Sequence, residues 1–584
     1  MRASAFCAVG ILAVACSQHS SDDLNVNVAP SILFPRGVLD NVQKLTVTVY
    51  DATGGLDCDP SKGLLSGLRT QSKVATKDLG TTCTAPAKFC GDLAITRSST
   101  PRVFAAVGFG PNNTEVANGC AKTVVDQEKL PLTIQMFRKT VAAVCGDGTL
   151  QDTEQCEPPG DASNLVCDDQ CHTKEERLSI GSGVAQNTTD GAPGEKLQPN
   201  FTWPPQSGTA GHFLAVWSDK KPRQQTAMRF MADDLSVDSA AGSAGTFSFW
   251  LPDTTSSFPP AGEPNSQAFP TATVVSGKYY VAFQDDTTGH PEIHLRTMNV
   301  ADPTAGDQPS GSPIGISGPN GGGEAGVIHT LPSIAAGPGG AVYVAWQAGA
   351  TTGPGKIVGR SYTGGSSPVY GPQVELSSGA SNQGVQVAAT SSGWVVVWQS
   401  GSDVKLRRIG TDGNPIGAEQ TVNDGSHHGA QDHPGVATAG DAFAVAWADH
   451  GATGGTDIFV QRFKSDGSPI AGDQANRINN VANDGEQTTP AITGSTTAGG
   501  MYAVAWIDQA STHVRARLLG ANGGFLFNNV DGQTGEFQAS LTDGHARNNP
   551  ALAIGGKGPY IAIGWEDLDA TKPGIYVRRF PAPQ

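Results

Sequence analysis

The sequence predicts an all-β chain built around a seven-bladed β-propeller, and three observations predict it. A short apolar phrase ending in an aromatic residue recurs seven times after residue 210. Gly and Pro number 74 and 38 in 584 residues, which implies many turns. Only 16% of residues are charged, which excludes a long coiled coil and a charged disordered tail. The formal net charge of −16 leaves no basic field to hold nucleic acid.

The chain opens with Met1-Arg2 and an apolar run, Ala3–Val14. That run is too short to cross a ~30 Å bilayer core as a helix, so residues 1–15 read as a cleaved export signal. Ala13-Val14-Ala15-Cys16 resembles the lipobox of bacterial lipoproteins. The resemblance implies that Cys16 is acylated as the first residue of the mature chain. Ser17 implies sorting to the outer membrane, with surface exposure expected. Several acyl chains would anchor the protein stably in that membrane. Residues 16–29 are polar and turn-prone and read as a flexible tether.

Residues 30–141 contain runs that alternate with period two: Leu45–Tyr50, Val103–Phe109 and Leu132–Met136. They predict a small antiparallel β-sandwich, Ig-like or transthyretin-like. Without Cys7 and Cys16, eight cysteines remain in two groups of four, and an exported chain would oxidise them to four disulfides. Cys58, Cys83, Cys90 and Cys120 belong to the sandwich and allow three pairings. Cys145, Cys156, Cys167 and Cys171 fall in residues 142–175. There, Cys145-Gly-Asp-Gly and the closing Cys167-x₃-Cys171 resemble the cysteine-rich disulfide repeat of myxobacterial surface proteins. So short a segment needs disulfides to hold it, and a rigid spacer is expected.

Residues 176–584 carry the repeats. The phrases end at Trp217, Phe283, Trp346, Trp398, Trp447, Trp506 and Trp565, spaced 66, 63, 52, 49, 59 and 59 residues apart. About fourteen residues earlier stands a strand of small residues, often after proline, as in Pro332-Ser-Ile-Ala-Ala. About ten residues later comes a strand with arginine: Arg296, Arg360, Arg407, Arg462, Arg517 and Arg578. A turn such as Asp412-Gly-Asn-Pro leads to a fourth strand. Four strands per repeat make a blade. Small residues suit the innermost strand, and a second strand covered on both faces is apolar throughout. The last repeat lacks its fourth strand, and residues 177–181 supply one from the other end, closing the ring. The pattern resembles bacterial extracellular propeller repeats of the form Val-Ala-Trp-x-Asp, Arg-Phe, Asp-Gly.

Residues that follow the tryptophans begin loops on one face, together with the inter-blade loops. Asp190, Asp424, Asp484 and Asp543, each followed by Gly, make that rim acidic. Convergent oxygens could take Ca²⁺ or a sugar, but Asp-Gly is also ordinary turn chemistry. No other cofactor is implied. A site residue should occur in one or two blades, whereas scaffold residues occur in all. Asp285, Asp286, His450, Glu566 and Asp567 are the candidates selected on that ground. His427-His428 with Asp432-His433 reads as a solvated loop. No nucleophile elbow, zinc-protease helix or phosphate loop occurs. The expected function is a surface lipoprotein whose propeller binds a polysaccharide or a protein. The alternatives are a polysaccharide hydrolase or lyase with carboxylates on one face, and a structural envelope component.

Overall fold

All seven recurring phrases form strands, and each lies second in its own antiparallel sheet. The computed structural model describes residues 25–138 and 175–582, apart from 35–41, 67–72, 179–195, 205–211, 220–224, 232–248, 252–266, 301–312, 527–534 and further segments of five residues or fewer. The signal, Cys16 and the second cysteine group lie outside the described residues. The chain forms two compact units, one holding the strands up to Arg138 and the other those from Glu176 onward.

The first unit comprises β1 (Asn25–Leu33), β2 (Lys44–Asp51), β3 (Asp57–Asp59), β4 (Leu64–Ser66), β5 (Lys73–Leu79), β6 (Leu93–Thr96), β7 (Ser98–Phe109), β8 (Glu115–Val125) and β9 (Lys129–Arg138). Seven of them form one hydrogen-bonded path, β5-β2-β7-β8-β9-β1-β6. The purely antiparallel expectation needs correction, because β1 and β9 run parallel from Asn27/Lys129 to Leu33/Gln135. β9 then leaves β1 and pairs with β8 through Met136–Arg138. Residues 25–29, expected in the tether, belong to β1, where Val26 and Val28 are buried.

Alternation decides which side chains fill this core. Val26, Val28, Leu45, Val47, Val49, Phe104, Ala106, Ile134 and Met136 pack together. Val103 and Cys120 turn to the other face and meet Leu56 and Cys58. The Cys58–Cys120 disulfide ties the β3–β4 hairpin to that face, and Cys83–Cys90 closes the segment between β5 and β6.

In the second unit the innermost strands are Lys196–Thr202, Gln267–Val275, Ile328–Ala336, Asn382–Thr390, Gln431–Ala439, Gln487–Ser495 and Arg547–Gly555. Each contacts the next, and the last contacts the first, so the seven close a circle. The aromatic that ends each phrase is buried, and the tryptophans fill the wedge toward the preceding blade. Trp447 meets Val395 and Val397 of blade 4, Trp506 meets Ala444 and Ala446 of blade 5, and Trp565 meets Ala503 and Ala505 of blade 6. A large ring in that gap excludes water over a wide apolar area.

Closure occurs as the sequence predicted. Glu176–Arg177 pairs with Gly574–Pro581, and Leu178 N–H donates to the Ile575 carbonyl. Residues 179–181 lie outside the described residues. The third-strand arginines clasp one blade to the one before. Arg229 donates to the Leu178 carbonyl, Arg360 to Ile316, Arg407 to Leu376, Arg517 to Ile478 and Arg578 to Ala539. Blade 5 departs from the expected register. Gln461 occupies the equivalent pairing position there, opposite Val445, while Arg462 reaches the Ala521 carbonyl in blade 6.

Candidate functional site

The site is built where the innermost strands begin. Their first residues pair with the last residues of the second strands, for example Gln267 with Asp285, Gln487 with Asp508 and Arg547 with Asp567. At this level the chain makes a buried polar latch in blade after blade. The Trp346 indole N–H donates to His329 Nδ1 at 2.8 Å, Trp398 to Asn382 Oδ1 at 3.1 Å, and Trp506 to Gln487 Oε1 at 2.8 Å. Gln267 donates to Asp285 Oδ2 at 3.2 Å, and Gln431 to Asp449 Oδ2 at 3.1 Å. Burial makes each of these bonds necessary, because an unmet polar group there costs more than the bond itself returns.

Two residues further along, every innermost strand carries a β-bulge. The residues Gln198, Phe269, Leu331, Gly384, His433, Thr489 and Asn549 all have φ between 48° and 63°. Six of the seven are followed by a buried proline, and Gly384 by buried Val385. A bulge re-aims the extra side chain and bends the strand. Here it leaves the extra residue half-buried or, at His433, exposed, just ahead of a buried residue on the strand.

The sequence candidates divide accordingly. Asp285 and Asp567 lie in the latch, buried, with scaffold partners: Gln267 for the first, and Arg547 Nε at 3.3 Å for the second. Asp286 lies just beyond. Burial and the neighbouring Asp285 push its carboxyl above the usual range, with His290 opposing. Glu566 is 2% exposed and accepts a hydrogen bond from the bulge residue Asn549 at 3.0 Å. His450 joins a network that the sequence treated as a solvated loop. Its Nε2 meets Asp432 Oδ2 at 2.8 Å, while His433 Nδ1 meets Asp432 Oδ1 at 2.9 Å. On its other side, His450 Nδ1 meets Thr456 Oγ1 at 3.1 Å, and that hydroxyl also bonds Glu486. Burial disfavours the charge on Asp432, but the bonds to both histidines outweigh it and hold the carboxyl below its ordinary value. His427 and His428 lie outside the described residues.

The acidic rim is partly neutralised. Asp190, Asp424 and Asp484 lie outside the described residues. Asp543, His545 and Asp567 place donor atoms within 4.8 Å of one another, close enough for a divalent ion. Arg547 already supplies the positive charge, donating to both Asp543 oxygens at 2.7 Å. Its pull outweighs burial and keeps Asp543 below the usual carboxylate range. A cation there would have to displace a guanidinium.

No protein-family model matches the chain, and no curated protein matches it in sequence. Solved structures resemble it only distantly. An α-L-arabinanase from Penicillium chrysogenum, complexed with arabinobiose, is 12% identical over 66% of this chain and 98% of its own, with a TM-score of 0.35. A puromycin hydrolase is 13% identical over 65% of this chain and 53% of its own, with a TM-score of 0.38. An α-L-arabinofuranosidase from Clostridium thermocellum is 14% identical over 44% of this chain and 91% of its own, with a TM-score of 0.26. Likenesses this weak identify no activity, which must come from the site.

Proposed function

We propose that the propeller acts on polysaccharide, holding a glycan where its innermost strands begin and hydrolysing it there. One observation carries this. Two carboxylates at this end stand in opposite settings. Asp286 of blade 2 lies beside Asp285 with its Oδ1 buried and unbonded among the described residues, whereas Asp432 of blade 5 is bonded by His433 and His450. The two are displaced upward and downward accordingly. Glycoside hydrolysis needs such a division: one acid to protonate the leaving oxygen, and one ionised carboxylate to act as base or nucleophile. His433 and His450 fix the Asp432 carboxylate and keep it ionised. The bulge ring and its neighbours supply amide, hydroxyl and imidazole groups suited to sugar hydroxyls. The net charge of −16 works against polyanionic ligands.

Full-length protein is to be incubated with a panel of polysaccharides, recording both retention and new reducing ends. Release by wild type is expected, with Asp286→Asn and Asp432→Asn each lowering it by about 10² or more while retention persists. Retention without release would overturn hydrolysis. A binding platform would then remain, a reading that the half-exposed bulge ring favours independently. In this proposal Cys16 carries the lipid anchor and the outer membrane displays the propeller. The lipobox-like Ala13-Val14-Ala15-Cys16 supports it. Cys16→Ser is expected to leave the membrane fraction; unchanged membrane association would overturn the anchor.

A further inference from the structure

We infer that the seven bulge residues form a reading ring for a neutral sugar, with an apolar arc for its C–H face and a polar arc for its hydroxyls. This rests on the proposal that the propeller binds polysaccharide. The first support is the combination of constant backbone and changing side chain. At all seven positions φ is positive, which suits glycine and burdens other residues. Only blade 4 uses glycine, Gly384. The other six are Gln198, Phe269, Leu331, His433, Thr489 and Asn549, no two alike. Among them are a β-branched and two bulky apolar residues, for which this conformation is least favourable. At a backbone that favours glycine, a side chain with no role of its own would have given way to glycine, as only blade 4 has done.

The second support is the order around the ring. Phe269 and Leu331 stand in adjacent blades, 2 and 3. Gly384 follows as a gap, and blades 5, 6, 7 and 1 present His433, Thr489, Asn549 and Gln198. A sugar ring has the same division, with apolar C–H faces and hydroxyls at its edge. No Lys or Arg stands at any of the seven positions, so nothing there would favour a carboxylated or sulfated sugar. The third support is unmet polarity. Gln198 Oε1, Thr489 Oγ1 and the neighbouring Gln284 Oε1 are buried and have no hydrogen-bond partner among the described residues. Groups of this kind in a native fold are met by an ordered water or by a ligand hydroxyl, and either makes this ring polar enough to hold one.

The test uses the full-length chain and measures affinity for soluble arabinan, xylan, mannan and galactan. Polygalacturonate and a sulfated polymer serve as charged controls. Phe269→Gly and Thr489→Gly are each expected to weaken binding of the preferred neutral polymer by about tenfold or more. The melting temperature of Thr489→Gly should stay equal to wild type or rise, since glycine relieves the backbone. Phe269→Gly also gives up apolar contact and is compared at a temperature where both variants are folded. Val369→Ala, at an exposed fourth-strand position, should change nothing. Neutral-polymer binding that survives both glycine variants would overturn the ring and leave the polysaccharide proposal standing. Preference for polygalacturonate would overturn the neutral-sugar assignment. A wild-type chain retained by no polymer would overturn both together.

Discussion

Two rings of residues lie two positions apart on the same innermost strands, and they differ in kind. In the latch, His329, Asn382 and Gln487 each accept a tryptophan N–H. Their identities differ, but the job and the burial are shared. In the bulge ring the identities also differ, yet there is no shared partner and the side chains are partly exposed. Variation alone therefore says little. Variation among groups that make one bond marks a scaffold solved several ways. Variation without a common bond, at a backbone conformation that disfavours side chains, points to the side chain itself as the selected feature.

The comparison can be broken most forcefully at the latch. Trp506 is fully buried between blades 5 and 6. Trp506→Ala should cost about 3–5 kcal/mol by urea denaturation. A loss below about 1 kcal/mol would mean that the wedge is not what holds the blades together. The next effect depends on pH. Burial holds the His329 imidazole down to about 4, so the folded chain keeps it neutral while the unfolded chain protonates near 6.5. Its contribution is full above pH 6.5 and falls as pH drops toward 4, where about 3 kcal/mol has been lost. His329→Gln should flatten this dependence, since Gln487 makes the same bond in blade 6. Equal acid sensitivity in wild type and variant, read from urea midpoints at pH 7 and pH 4.5, would contradict the latch. Gln487→Leu should cost about 1–3 kcal/mol at neutral pH, because it leaves the Trp506 N–H buried without its acceptor.

The scaffold was largely legible in the sequence, and the candidate site was not. The seven phrases stand out because a strand covered on both faces must be apolar throughout. Ring closure followed from counting strands, one short at residue 580 and one spare at residue 177. The blade-5 clasp was misread by one residue, since Gln461 and Arg462 are adjacent and only pairing with Val445 decides between them. The parallel pairing of β1 with β9 has no local signature. The bulge ring was half visible. Its prolines stand out in the sequence, but Gln, Phe, Leu and Thr carry no mark of a left-handed backbone. Asp432 and His450 are 18 residues apart and meet because one innermost strand pairs with its neighbour. Asp285 and Asp567 looked asymmetric because latch chemistry changes from blade to blade. Both stand opposite the same position of an innermost strand, Asp285 bonded by Gln267 and Asp567 paired with Arg547.

The smallest expected effect separates the two rings most sharply. Thr489 is β-branched, sits at φ 48°, and its hydroxyl has no partner among the described residues. A left-handed backbone costs a non-glycine residue roughly 1–2 kcal/mol. Glycine removes that cost but adds about 0.5–1 kcal/mol of unfolded-state freedom. Thr489→Gly should therefore leave stability unchanged or raise it by about 1 kcal/mol, the opposite sign to Gln487→Leu two residues away. If Thr489→Gly instead destabilises the propeller by as much as Gln487→Leu, then Thr489 has a scaffold partner. The bulge would then be one more layer of the latch, and its side-chain variety would be scaffold variety, like that of His329, Asn382 and Gln487.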